Sequence, residues 1–597
     1  MNYQSRKLIT QRALAGLLAV LFLTSAVRAQ VLQQVPDDAL LVIKAKDLAA
    51  TSAKIGKLMK DLGLEKMKPG LDNPLAFMQK ELGMVNGVNT AGEMAFVYRD
   101  PAKTNEKPDK SIMILIPVSD YAAFVGNFKD AKVEGDVTEV TMPKGGDPGY
   151  LAQWGSYAAL SPSKLVPGMK ASAPLKITGD ATNKELGSKD IVFFANFKSL
   201  RENLTPHLQD VREKAMEEME ANLGNDEKVA KFRPLIKAAA GQFFAAVESF
   251  LRDTDATTIS VDFGADGVNF GVMADFIPNS YLGGSFAACK NTNEPLMTGL
   301  PSGKYLFYGG YINNADVTVK LVNDLLGPVV KAMEEMGAEK PAHDYVDALV
   351  SHLKANKSAT FGVVAPNGQL GQEAIFQLLS VSQGDAAALK ASQIKMMKAQ
   401  EEAMKSLGMP ADSYSCNVAA AAKTMDGVVF DSINTVMNAN SKDPMAMQQQ
   451  QIMAMLYGPG GMSMLEGEIS KDTLLMGMGV SDAVLQSAIT SAKAGDAPMA
   501  VSAPVKSVSS HLPANRTAEI YIPLDQIVNT GLTYAKQFGA PLNVTLQPDL
   551  PPLGIATSTD GSALRIDGYI PTVLVQQLVS AGMQAWMQTQ GDGGGGL

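Results

Sequence analysis

Cysteine is nearly absent: the 597 residues include two, Cys289 and Cys416. So few exclude a disulfide framework, and stability must come from packed apolar cores. In an oxidising compartment the two can pair with each other, although they stand in non-equivalent parts of the chain. Histidine is scarce as well, at four residues, which leaves few arrangements for a Ser–His–acid triad. His343 and Asp347 share one face of an expected helix, but His352 lies about 180° round from His343, so no three-ligand metal site is expected. The nucleophile pattern G-x-S-x-G does not occur. Ser351, Ser392 and Ser161 fit S-x-x-K without the companion elements S-D-N and K-T-G. Gly458-Pro459-Gly460-Gly461 lacks the Lys-Ser/Thr of a phosphate cradle, and Gly145–Gly149 reads as a loop. Aromatic residues make up 6% of the chain, with Trp154 and Trp586 the only tryptophans, which argues against a sugar-stacking cleft. No catalytic, metal or cofactor-binding residue is nominated, and no cofactor is expected.

Long apolar runs are missing after the first 29 residues, so no later segment is expected to span a membrane. Residues 1–29 have the layout of a secretory signal peptide. Arg6, Lys7 and Arg12 precede an apolar stretch from Ala13 to Val27, and Val27-Arg28-Ala29 offers small residues for cleavage between Ala29 and Gln30. The expected location is therefore the periplasm or the extracellular space. Losing Arg6, Lys7, Arg12 and Arg28 leaves 48 basic against 61 acidic residues, a net charge of −13. That balance opposes nucleic-acid binding and docking on anionic lipid, and it favours solubility.

What the sequence does hold is repetition. Four segments follow one order of signals: strand, helix, helix, hairpin, helix. They cover 30–187, 188–299, 300–509 and 510–590, with a Gly-rich tail over 591–597. The first opens at Pro36-Asp37-Asp38-Ala39 with a strand over Leu40–Ile43, then a helix from the N-cap candidate Asp47. Short helix Pro74–Leu82 and strands Glu93–Tyr98 and Ile112–Val118 follow. The second places helices at about Leu204–Leu223 and Pro234–Leu251, then a hairpin turning at Ala265-Asp266-Gly267. The third has strand Tyr305–Ile312, helices Ala315–Met336 and His343–Lys354, a hairpin at Pro366-Asn367-Gly368 and a helix from Asp385. The fourth has strand Ala518–Ile522, helix Leu524–Phe538, a Pro-rich stretch, a hairpin at Thr559-Asp560-Gly561 and helix Thr572–Met587. Segments one and three each add a β-rich insert. Lys164–Lys184 and Ala497–Ser509 read as linkers. The expected fold is α+β: mainly antiparallel sheets covered by helices, in two tandem related halves.

Methionine is plentiful, at 32 residues. It is densest over 445–464, where Met445, Met447, Met453, Met455, Met462 and Met464 surround a run of glutamines. Thioethers can hold copper(I), but no His or Cys lies among them. The stretch reads first as packing, then as a mobile cover for a partner.

Val35-Pro36-Asp37-Asp38-Ala39, the apolar strand after it, Asp47-Leu48 and the later passage Ile114–Phe124 resemble a group of exported bacterial proteins of unknown function. The resemblance covers mainly residues 31–130 and implies no activity. The expected function is an exported, non-enzymatic binding or scaffold protein of the cell envelope whose partner is a protein or another envelope macromolecule. The alternatives are a secreted hydrolase with a dispersed acidic site and a periplasmic chaperone-like or lipid-carrying protein.

Overall fold

A computed structural model describes residues 30–66, 70–141, 148–165, 170, 173–223, 227–366, 374–408, 414–437, 444–458, 461–537, 539 and 544–591. Of the expectations above, the whole signal-peptide layout of 1–29 with cleavage residue Ala29, most of the loop Gly145–Gly149, the turn residues Asn367 and Gly368, Pro459 and Gly460, and 592–597 lie outside these. The chain forms two compact units. The first takes residues up to Gly56, Gly70–Leu200 and Ala256–Asp262; the second takes Lys57–Pro69, Arg201–Asp255 and Phe263 onwards. These borders fall within the first two expected segments, while 300–509 and 510–590 lie wholly in the second unit.

In the first unit the strands are β1 (Ala39–Ala45), β2 (Met94–Arg99), β3 (Ile112–Pro117), β4 (Lys132–Glu134), β5 (Val137–Val140), β6 (Gly149–Trp154), β7 (Tyr157–Ser161), β8 (Ile191–Asn196) and β9 (Thr254–Phe263). Neighbours run β4-β5-β6-β7-β3-β2-β1-β8-β9, every ladder antiparallel. The second unit holds β10 (Gly267–Phe276), β11 (Tyr305–Ile312), β12 (Asn356–Val364), β13 (Gln377–Gly384), β14 (Tyr414–Met425), β15 (Val428–Met437), β16 (Met462–Ser470), β17 (Thr473–Met478), β18 (Ala518–Ile522), β19 (Leu553–Asp560) and β20 (Ala563–Pro571). Their order is β14-β15-β16-β17-β13-β12-β11-β18-β19-β20-β10, again antiparallel throughout. The α+β class with large antiparallel sheets is therefore observed.

Alternation along the strands turns one set of side chains into each core. In the first unit Val42, Val97, Leu115, Val192 and Phe194 meet with Trp154. In the second, Leu379, Phe430, Leu475, Ile489 and Tyr521 do so. Helix ends follow local chemistry. Helix Pro74–Leu82 starts where Asn73 accepts from the Ala76 amide and stops at Gly83, whose φ of 66° suits glycine. Asp47 accepts from the Ala50 amide (3.0 Å) and Asp385 from Ala388 (3.0 Å), as the caps require. Helix Phe197–Asn222 begins earlier than expected and runs through Pro206. The Arg201 guanidinium holds its start by donating to the carbonyls of Leu251 (2.9 Å) and Thr254 (2.6 Å).

Ala497–Ser509 is not a linker. It forms helices Pro498–Val501 and Ala503–Ser509, and buries Val505 and Val508 in the second core. Among the described residues β4 and β14 each pair on one side alone. β4 is three residues long with Lys132 and Glu134 in it. On the longer β14, Glu401 accepts from the Cys416 amide (3.2 Å), and Ala421, at φ 51°, donates to Asp431 (2.9 Å).

Candidate functional site

The sheet of the first unit is apolar on both faces. The face away from its core carries a row that crosses four strands: Phe96 of β2 opposes Ile43 of β1, Ile43 opposes Phe193 of β8, and Phe193 opposes Ile259 of β9. Tyr98, Leu41 and Ala195 form the next row. Phe193 is 43% exposed and Ile259 51%. A hollow of about 230 Å³ opens there, lined by Leu41, Ile43, Phe96, Phe193 and Ile259 among others. Large aromatic and branched side chains left in water at this density make this face the candidate site. The expectations above nominate none of these residues. Their signal is nevertheless in the sequence: ALLVIKA in β1 and IVFFAN in β8 are nearly continuous apolar runs. A strand with one wet face would alternate.

Polar groups in this unit are spent on structure. Lys44 points into the core with its side chain wholly buried, paired to Glu93 (2.8 Å) and donating to the Leu186 carbonyl. Burial pushes its ammonium below the usual lysine range, while Glu93 pulls it back up. Glu93 also accepts from the Val31 amide (3.2 Å). Asp38, of the motif that carries the resemblance, takes Arg99 in a buried two-point pair at 2.9 and 2.8 Å. Its role here is to pin the start of β1 to the end of β2.

The second unit buries two acidic clusters. Under helix Ala386–Ser406, Lys390 reaches Asp431 on β15 (2.7 Å), and Asp431 opposes Glu466 on β16. Glu466 is 1% exposed and its Oε2 has no hydrogen-bond partner. Burial pushes its carboxyl up to about 8; Lys390 pulls it down and Asp431 pushes it further up. In the other cluster buried Glu519 accepts from the Tyr521 hydroxyl (2.8 Å) and pairs with Arg516 (2.8 Å). A third feature, a hollow of about 700 Å³, is lined by Lys354, Lys357 and Lys471 with Asp385, Glu468 and Asp472.

Among the candidates weighed from sequence, His352 meets Ser392 and Ser351 donates to the Asp347 carbonyl, while His343 and Ser161 stand elsewhere. His343 binds Glu334 (2.8 Å) at the surface. His352 contacts Ser392 (3.2 Å) between two helices, and burial lowers its pKa. The Ser392 hydroxyl itself donates to the Leu389 carbonyl (2.7 Å), so that serine is held as a helix contact. Ser161 donates to the Ile112 carbonyl (2.7 Å). Asp347 makes no group with the histidines, and among the described residues no cluster of three His, Cys, Asp or Glu is placed to hold a metal. Met464 packs with Cys416, Ile433 and Met478, and Met462 borders that cluster. Met453 is half-buried and Met455 exposed on helix Pro444–Tyr457; the side chains of Met445 and Met447 lie outside the description.

Cys289 and Cys416 are both free thiols. Cys289 follows helix Tyr281–Ala287 and donates to the Ser285 carbonyl (3.6 Å), whereas Cys416 is locked inside β14. Burial raises both thiol pKa values. The unfolded, non-reduced chain should therefore take up two alkyl groups, with Cys416 modified far more slowly than Cys289 in the native state. Mass spectrometry of alkylated protein reads both; recovery of an unmodifiable Cys289–Cys416 pair would contradict this geometry.

No family model matches this chain, and no curated protein matches it. Among solved structures, crystal forms III and IV of TP0453 are similar at 10% identity. They cover 48% and 50% of this chain and 97% and 99% of their own, with TM-scores of 0.20 and 0.21. A likeness of that size carries no argument.

Proposed function

We propose that this chain is an exported, non-enzymatic binding protein of the cell envelope, periplasmic or extracellular, that holds an apolar segment of another macromolecule. The observation that carries the reading is the open row Phe96–Ile43–Phe193–Ile259 with the hollow beside it. The layout of residues 1–29 supports export, with cleavage between Ala29 and Gln30. The volume favours a partner's side chain over a whole lipid. About 230 Å³ falls short of the roughly 300–1,000 Å³ that enclosed small ligands occupy. Glu466 and Glu519 are interior, and the open carboxylates Asp385, Glu468 and Asp472 share their hollow with Lys354, Lys357 and Lys471.

The reading includes a duplication into halves 31–299 and 300–590. Strand order supports it: β1-β2-β3-β7-β6-β5-β4 matches β11-β12-β13-β17-β16-β15-β14, place for place, and β1-β8-β9 matches β11-β18-β19. A second open face supports it too. On β10, β20, β19, β18 and β11, Val272, Ile566, Thr557, Ala518 and Tyr311 form one cross-strand row, with Val272, Ile566 and Tyr311 exposed.

Phe193→Asp tests the surface. The chain should bind an apolar fluorescent probe such as ANS, and the substitution should weaken binding roughly tenfold, the loss of one aromatic anchor. Stability should fall by only about 1–2 kcal/mol, the loss of strand propensity and of cross-strand contact with Ile43 and Ile259. Unchanged probe affinity in a folded variant would remove the surface from consideration. Native mass spectrometry then separates the readings: a co-purifying protein favours the binder, a co-purifying lipid the carrier.

A further inference from the structure

The hollow of about 700 Å³ in the second unit lies where three junctions meet. Helix Glu339–Ala355 gives way to β12, β13 gives way to helix Ala386–Ser406, and β16 turns back into β17. Backbone hydrogen bonds tie these junctions together. The Asp385 amide donates to the Ala355 carbonyl (3.1 Å), Gly384 to Asp472 (3.0 Å) and Ala386 to Lys471 (3.0 Å). Gly384 holds a φ of 150°, and a Cβ there would stand 1.9 Å from the Ala355 carbonyl oxygen, so this corner needs glycine. Charge is what sets the hollow apart. Each carboxylate on its wall already has a donor. Asp385 caps its helix through the Ala388 amide (3.0 Å), Glu468 faces Lys390 (3.7 Å), which it shares with Asp431, and Asp472 faces Lys471 (3.9 Å). Lys354 and Lys357 are different. Among the described residues no ion pair or hydrogen bond reaches either ammonium. Two unmatched cations on one hollow stand out in a chain whose net charge is −9.

We infer that this hollow binds the phosphate group of a small, non-aromatic phosphate ester, with Lys354 and Lys357 on the phosphate oxygens. Its volume of about 700 Å³ falls within the roughly 300–1,000 Å³ of small-ligand sites. The lining excludes other classes. It contains no aromatic ring on which a nucleobase could stack, and alanine is its only apolar side chain, so a greasy ligand would gain little. The cations choose among anions. An ammonium is a compact point charge that the oxygens of a phosphate can meet from several sides. A carboxylate is matched best by the planar fork of arginine, and no arginine lines this hollow. The fixed main chain behind the lysines keeps the space open without a ligand, so binding requires no rearrangement of the walls. This site is separate from the apolar face of the first unit, and neither reading depends on the other.

Isothermal titration of the full chain at low salt tests this. Inorganic phosphate and glycerol 3-phosphate should each bind saturably at one site, and added sodium chloride should weaken both. The double variant Lys354→Gln, Lys357→Gln should lose roughly tenfold in affinity, the sum of two exposed charge contacts. It should keep the parent's melting curve, since both side chains are exposed. Lys354→Arg, Lys357→Arg should retain most of the binding. The inference is overturned if neither probe binds, or if the folded glutamine variant binds phosphate as tightly as the parent. It is equally overturned if succinate binds as tightly as phosphate, which would make the hollow a general site for dianions.

Discussion

Glu466→Gln is expected to make this protein more stable, by about 3 kcal/mol near pH 7. Glu466 is a neutral acid in the folded chain, held up to about 8 by burial beside Asp431, and it ionises freely once the chain unfolds. Below the unfolded value of 4.5 both states are protonated, and the residue costs nothing. As pH rises from there, only the unfolded chain releases the proton, and folding loses about 1.4 kcal/mol per pH unit until the folded carboxyl ionises as well. Glutamine keeps the shape and has no proton to lose, so the variant's advantage should be small near about pH 5 and largest above about pH 8. Denaturant unfolding at several pH values measures it. An advantage that does not change with pH would mean that Glu466 is already ionised in its buried place, held by Lys390.

Glu93→Gln should act in the opposite direction and cost about 3–5 kcal/mol. It leaves the wholly buried Lys44 ammonium without its counter-ion. Lys44→Met in the same chain should recover much of that loss, because it removes the stranded charge and fills the space with apolar atoms. The double-mutant cycle isolates the pair. If Glu93→Gln alone proves mild, Lys44 is neutral in the folded chain, and the Leu186 carbonyl and its packing hold it. The pair ties β1 to the segment just before β2.

Much of the fold was legible. Strands Tyr305–Ile312 and Ala518–Ile522 and helix Pro74–Leu82 stand where alternation, caps and glycines put them, because those signals act over a few residues. What could not be read is which of two apolar faces stays open. IVFFAN in β8 says that both faces of the strand are apolar, but only the cross-strand register brings Phe193 beside Ile43 and Ile259. Buried charges were hidden for the same reason. Lys44 and Glu466 look like surface residues in isolation, and it is strand parity, together with a helix arriving from afar, that encloses them. The supposed linker at Ala497–Ser509 misled because small residues suit both a flexible joint and tight packing; Val505 and Val508 decide for packing.

The outermost strands β4 and β14 bear on how apolar faces can stay open without another chain building on the sheet. A bare strand margin invites another chain to stack onto it, and here β4 and β14 are guarded. One is too short and too charged to template anything. The longer one has a carboxylate, Glu401, clipped to an outward amide and a kink at Ala421 beyond it. The apolar faces can therefore stay open while these two strands resist pairing with another chain. That guard rests on an ionised Glu401, so its failure would begin in acid, with fibrous assembly as the outcome.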